Sequence, residues 1–325
     1  MAKIAAAYST RDAKANREDL SELISNIDPT ETPVMTLIGG SPRNAKNINF
    51  DWQIDHLKPK NPDNAEVEGF ETRRQRSNPT IRVANTCQIS TKNATVTGSQ
   101  EQSDPAGKRS EMAYQMALRS RELKIDMESI LTSKQPRYLG FDDPSDEDLK
   151  PRRLRGLEHW LQTNAIYGSG GANATDEFSQ LTDGTQRDLT ENMLVDGLQS
   201  AWEAGGNPTA CMVGAGVKRR ISKFTGRENS RQAVDKDTVN NTVSIYASDF
   251  GDITVRLSRH QRPRTLFVLD RNRVRLAYFR RPRQMPLAKV GDAETRLILA
   301  EYSLQVDNEA AHVKIADLTT AAPSA

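Results

Sequence analysis

The chain has 325 residues, enough for one large domain or two closely coupled ones. With 45 basic against 43 acidic residues the formal net charge is +2, a balance that argues against a polybasic nucleic-acid coat but leaves room for local patches. Hydrophobic residues make up 36%; counted with Gly in and Tyr out the share is about 40%, below the roughly 45–50% of ordinary globular domains, so the expected core is thin and arms or loops should find burial on partner subunits.

Two distant cysteines, Cys87 and Cys211, form no CxxC pair, which points away from a disulfide framework or Cys-rich zinc site and toward reduced cytoplasmic thiols. The Met1-Ala2-Lys3-Ile4 start lacks a signal-peptide apolar run, and no stretch approaches the length of a membrane span.

Residues 1–45 read as an N-terminal arm. Leu20, Leu23, Ile24 and Ile27 fall at helical spacing over 17–27, and Asp28-Pro29 ends that helix. Thr32-Pro33 then forms an N-cap and N1 pair for a short helix through Val34, Leu37 and Ile38, closed by Gly39-Gly40. Residues 46–100 read as one long β-hairpin. Ile48, Phe50, Trp52 and Ile54 alternate with polar residues, and a second alternating run passes through Ile81, Val83, Asn85, Cys87 and Ile89 to Thr97. The loop between them, 58–79, is polar and carries the basic run Arg73-Arg74-Gln75-Arg76. A two-stranded hairpin is marginal alone in water, so this one is expected to lie on a neighbour, with Trp52 and the aliphatics near its base as contacts.

The third segment, 101–188, holds a long helix and a loop-rich insertion. Asp104-Pro105 is a possible start, and Lys108 to Gln135 contains no Gly or Pro; Met112, Met116, Leu123, Met127 and Ile130 stripe one face of a helix about 40 Å long. Ordinary sheet packing is the better reading of the Met stripe than an adaptable binding face. The insertion includes Gly168-Ser-Gly-Gly-Ala-Asn173, with a short ordered piece around Glu158, Trp160, Leu161 and Ile166.

A compact α/β segment spans 189–262. Leu194, Leu198 and Trp202 stripe a helix from Thr190 to Gly205-Gly206, a strand covers Thr209–Val213, and a second helix runs through Val217, Ile221 and Phe224 to Gly226. A hairpin turns at Asp249-Phe-Gly-Asp252. Residues 263–325 are returning strands at 266–269, 276–279, 297–306 and 313–315, with a fraying tail from Thr319. The whole is an α+β chain.

Chemistry is scarce. His56, His159, His260 and His312 have no metal-ligand spacing, and no GxSxG elbow appears. Gly214-Ala-Gly216-Val-Lys218 lacks the GxxxxGK(S/T) spacing and reads as a strand-to-helix turn. Neither an enzyme site nor a cofactor is expected. The main charge feature is ten arginines between 256 and 283 facing only Asp270 in that stretch. Guanidinium groups suit phosphate, but a subunit interface meeting acidic loops of neighbours is favoured over nucleic acid, about two to one. The candidate interface residues are Trp52, His56, Glu68, Arg73, Arg74, Arg76, Arg262, Arg264, Arg280 and Arg281.

The order of arm, hairpin, long helix, Gly-rich insertion, α/β segment and returning strands resembles the Hong-Kong-97-like phage capsid fold, with N-arm, E-loop, spine helix, axial (A) domain and peripheral (P) domain. The wording is similar to that of the SU-ten phage major capsid protein family: Arg17–Ser21 with Ile27–Pro33, Glu68-Gly69, Thr97-Gly-Ser-Gln100, Leu189-Thr-Glu191, Tyr246 with Ser248-Asp-Phe-Gly251, Gly291-Asp292, and Glu301 with Leu304. The resemblance covers nearly the whole chain. It implies hexamers and pentamers in an icosahedral shell around double-stranded DNA held by loose contact, assembled in the host bacterial cytoplasm. Portal, scaffold and decoration or cement proteins are possible partners, and no membrane is. It carries over no catalytic residue and no Lys–Asn cross-linking site.

Overall fold

A computed structural model describes residues 31–40, 42–55, 57–58, 60–71, 79–103, 108–140, 150–224 and 245–320. The expected helix over 17–27, the Asp104-Pro105 start, the Gly226 stop and the end of the tail lie outside the described residues.

Helix α1 (Pro33–Ile38) starts after Thr32 as expected, but the Thr32 hydroxyl caps nothing. The fully buried carboxylate of Glu128 takes the amides of Val34 and Met35 instead, at 2.9 and 2.6 Å. A short strand β1 (Arg43–Asn44) follows, then β2 (Asn49–Ile54) and β3 (Ile81–Thr86), paired antiparallel in register from Asn49↔Thr86 to Ile54↔Ile81. Here the structure corrects the hairpin expected over 46–100. Pairing stops at Thr86, and β4 (Gln88–Thr97) turns to a different partner. The alternation runs unbroken through buried Cys87, so periodicity alone shows no break. Fully buried Asn85 marks the crossing: its Nδ2 donates to the Leu304 carbonyl at 2.8 Å, and its Oδ1 accepts the amides of Thr86 and Arg155.

A short helix α2 (Gly98–Gln102) leads to α3 (Glu111–Leu131). At 21 residues α3 is about 30 Å long, shorter at both ends than the Gly- and Pro-free stretch. Ser110 sets its start, its Oγ accepting the Ala113 amide at 3.1 Å, while Glu101 accepts the Met112 amide at 2.9 Å. Two of the orphan amides of the first turn are thereby satisfied. Met112, Met116, Leu123 and Met127 are buried, and the helix packs on β4.

The remaining elements are α4 (Leu157–Trp160), β5 (Ala165–Ile166), α5 (Glu191–Glu203), β6 (Ala210–Val213), α6 (Ala215–Ile221), β7 (Ile245–Ser248), β8 (Gly251–Leu257), β9 (Leu266–Leu269), β10 (Val274–Pro286), β11 (Ala293–Val306) and β12 (Val313–Ile315). One sheet has the order β1-β10-β11-β4, the other β5-β12-β9-β6-β8-β7. Each has a hydrophobic cluster, and the clusters meet at β6 and β9. Along β6, Ala210 and Met212 join the cluster under α3, while Cys211 and Val213 join the one under α5 and α6. Along β9, Phe267 and Leu269 go one way and Leu266 and Val268 the other. Side chains alternate across a strand, so strands buried on both faces read as unbroken apolar runs.

Gly197 sits inside α5, where Gly costs about 1 kcal/mol against Ala. Its reason is close approach: a Cβ there would stand 2.7 Å from Val313 Cγ1 on β12. Trp202, expected on the buried stripe of α5, is 59% exposed and only leans on Phe250.

Candidate subunit-contact surfaces

The hairpin is anchored at its base and bare beyond it. Trp52 is 5% exposed, its ring 5.5 Å from both Phe50 and Trp160, and its Nε1 donates to the Val306 carbonyl at 3.1 Å. Arg155 stacks over Trp160 at 4.2 Å. Trp52 therefore serves its own chain, which corrects its reading as a residue facing a neighbour. Farther out, Asp51 pairs with Arg82 on the solvent face. Residues 60–71 are all exposed. Leu57 and Val67, 98% and 76% exposed, have no apolar cover. Glu68-Gly69 is a turn: the Phe70 amide donates to the Val67 carbonyl at 3.1 Å, and Gly69 has φ +80°. A type II turn needs that left-handed third residue, which makes Gly the fitting choice, and it sets Val67 and Phe70 side by side with Glu68 at the corner. His56, Arg73, Arg74 and Arg76 lie outside the described residues.

Five of the ten arginines between 256 and 283 pair with carboxylates of their own chain. Arg262 spans Glu158 at 2.7 Å and Asp183 at 2.9 Å. Arg264 donates to Asp317 at 2.5 Å and to the Gly184 carbonyl at 2.7 Å. Glu301, 1% exposed, is gripped by Arg152 and Arg280, both at 2.7 Å. Arg273 meets Asp270 and Arg275 meets Asp307. Apart from Asp270, the carboxylates come from positions 158, 183, 301, 307 and 317, distant in sequence, so a window over 256–283 shows ten arginines against one aspartate. Arg262, Arg264 and Arg280 are thus each paired within their own chain while remaining partly exposed. Arg281 is exposed and donates to Asn44 Oδ1 at 3.4 Å.

Behind Arg262 lies a buried polar knot. Lys314 is fully buried; its Nζ donates to the Glu158 carbonyl at 2.8 Å and to Tyr167 Oη at 2.6 Å. Burial pulls the Lys314 ammonium down to about 8 and pushes the Glu158 carboxyl up, opposed by Arg262. The Gly-rich loop closes over the knot: the Gly168 amide donates to Asp317 Oδ2 at 3.1 Å, and a Cβ at Gly168 would stand 2.1 Å from the Thr185 carbonyl oxygen. His159 is also internal, with Nδ1 accepting from Arg155 at 2.8 Å and Nε2 at 2.8 Å from the Ser179 carbonyl. These groups clip α4, β12 and the loop together, and each is occupied by a neighbour in its own chain.

Among the described residues no group of three His, Cys, Asp or Glu side chains could hold a metal. Gly214 is the N-cap of α6, and a Cβ at Gly216 would lie 2.2 Å from the Thr320 carbonyl oxygen, so the returning chain fills the space a phosphate would need. No described helix is long and apolar enough to cross a membrane.

Sequence motifs far apart meet in space. The Gly98 amide donates to the Asp292 carbonyl at 3.1 Å, joining Thr97–Gln100 to Gly291-Asp292. Tyr246 Oη donates to Glu191 at 2.9 Å, and the 248–251 turn closes through Ser248 Oγ. The sequence profile of the SU10 major capsid protein family matches residues 7–319.

The chain belongs to that family. A major capsid protein of Escherichia phage Phieco32 is 30% identical over 133 residues, 40% of this chain, and the match spans 36% of that relative's length. The cyanophage A-1(L) capsid asymmetric unit superposes with TM-score 0.65 at 12% identity, covering 96% of this chain and 99% of the other. The capsid of a native GTA particle gives 0.62 at 10%, covering 95% and 98%. A structure from Gordonia phage Cozz gives 0.59 at 11%, covering 97% and 96%. At these identities the likeness is one of fold, and the fold is the Hong-Kong-97-like capsid fold.

Proposed function

We propose that the chain is the shell-building subunit of a tailed-phage head, assembling as hexamers and pentamers around double-stranded DNA in the host cytoplasm and acting without catalysis. The observation that carries this reading is the family match over residues 7–319 on a chain whose hairpin loop is exposed along its whole described length. In this reading the arm, 1–45, and the E-loop, within 46–100, reach neighbours. Residues 101–188 belong to the P domain and 189–262 to the A domain, and 263–325 supply returning strands to both and the C-terminal tail. Each contact is modest, and closure of the shell multiplies them. Portal, scaffold and decoration proteins are its expected companions, and DNA contact is loose. The DNA-binding alternative loses ground because Arg262, Arg264, Arg273, Arg275 and Arg280 already meet carboxylates of their own chain.

Negative-stain microscopy of the purified protein tests the reading. Shells, or five- and six-fold rings, are expected; a monomer persisting under all assembly conditions overturns it. Deleting 58–79 is expected to leave a folded subunit that no longer assembles.

A further inference from the structure

The carboxylates of α3 are all engaged, and two of its cations are not. Glu111 pairs with Lys108, Glu122 with Arg119 and Asp126 with Lys92 of β4, while Glu128 holds the amides of α1. Arg121 and Lys124, about one turn apart and both exposed, make no ion pair with a described residue.

Lys124 borders an open cleft of about 370 Å³ between α1 and β10. The cleft also offers the hydroxyls of Thr32, which caps nothing, and of Tyr278, and Gly40 is part of its wall. No carboxylate lines it. Two further cations flank it. Arg271, from the β9–β10 turn, reaches the arm at Gly40, where a Cβ would stand 2.8 Å from its Nη2. A side chain at 40 would therefore displace that guanidinium. Arg281 is near enough to Tyr278 to oppose the burial that raises the phenol. Both arginines are exposed, and neither makes an ion pair with a described residue. The neighbouring carboxylates are spoken for, Asp270 by Arg273 and Glu128 by α1, except for Glu31, which is exposed and precedes Thr32 in the chain.

We propose that this cleft takes backbone phosphates of the enclosed DNA duplex. Lys124 and Arg271 meet the phosphate oxygens, Arg281 and Arg121 extend the contact along the strand, and the Thr32 and Tyr278 hydroxyls donate to it. Ammonium, guanidinium and hydroxyl groups are the usual donors to phosphate oxygens. The cations come from three stretches of chain, at 121–124, 271 and 281, and the fold brings them to one place. An open cleft meets the backbone and not the base edges, so binding is independent of sequence. A few phosphates per copy give weak, salt-sensitive binding that the many copies of a shell add together. The inference rests on the shell reading and names where the subunit touches its cargo.

Fluorescence anisotropy with a short labelled duplex tests it on the purified chain. The logarithm of affinity is expected to fall with the logarithm of salt at a slope of about −3 to −4, roughly 0.9 for each cation. Lys124→Gln and Arg271→Gln are each expected to weaken binding about eightfold at about 0.1 M salt and to reduce the slope by about 0.9. Melting temperature and assembly are expected to stay unchanged, and Lys124→Arg is expected to keep wild-type binding. Arg219 on α6 is exposed and makes no ion pair with a described residue, and Arg219→Gln is expected to change nothing. A wild-type chain that binds no duplex at low salt overturns the proposal. An equal loss in Arg219→Gln marks diffuse charge and overturns it as well. Variants at 124 and 271 that bind duplex normally but fail to assemble reassign the cleft to a segment of a second copy, which also overturns it. The shell reading fails separately, when the wild-type chain forms no oligomer; a loss of duplex binding confined to the 124 and 271 variants still supports the cleft.

Discussion

Replacing Trp52 tests how the hairpin is held. The ring is 5% exposed, stacks between Phe50 and Trp160, and donates to the Val306 carbonyl at 3.1 Å. Removing a buried aromatic to Ala costs about 3–5 kcal/mol. Roughly 1 kcal/mol of that belongs to the hydrogen bond, which Trp52→Phe removes while keeping most of the apolar contact. The expected losses are therefore about 4 kcal/mol for Trp52→Ala and about 1–2 kcal/mol for Trp52→Phe, read from urea unfolding followed by circular dichroism. Amide exchange provides the second readout. In Trp52→Ala the amides of β2 and β3 are expected to exchange faster, while those of β6 and β9 fall only with global stability. A loss under about 1 kcal/mol for Trp52→Ala, with unchanged exchange in the hairpin, would refute the anchoring argument.

Other expectations follow from buried groups. Glu301→Gln should cost about 3 kcal/mol in the same unfolding experiment, because Arg152 and Arg280 lose the buried carboxylate between them; a neutral result would show that water replaces it freely. Burial lowers His312 to about 4, with its Nδ1 accepting the Asp270 amide at 3.0 Å. The unfolded chain then binds the extra proton first, so the His312 contribution is complete above about pH 6.5 and is lost toward pH 4, roughly 3 kcal/mol in all. His312→Gln should flatten this part of the stability profile between pH 4 and 6.5 relative to wild type. Burial pushes both Cys87 and Cys211 thiols up to about 12, so neither should react with iodoacetamide at pH 8 until denaturant is added; labelling of native protein within minutes would contradict their burial.

Local periodicity carried much of the fold. The α3 stripe, the α5 start at Thr190, the 248–251 hairpin and the four returning strands stand close to where alternation and capping residues place them. The misplacements share one cause, the identity of partners distant in sequence. Apolar residues keep alternating through Cys87 to Ile89 in the sequence although the strand changes sheets there and the buried face switches, leaving Ile89 43% exposed and burying Ala94 and Val96. Trp52 reads as half-exposed only while Trp160 and Val306 are unknown. The arginines look unpaired because their carboxylates lie far away along the chain, and the cap of α1 comes from Glu128. Glu68 and Arg281 stand exposed, and the exposed apolar residues Val67 and Phe70 carried no periodic signal.

The sharing of β6 and β9 between two clusters bears on how the subunit carries load. Alternate residues of the same strand face opposite clusters, so there is no solvent-lined seam along these strands where the halves could swing apart. Bending there would open both apolar interiors at once. A subunit built this way resists flexure as a single plate, and a head under internal pressure would yield first at the edges between plates.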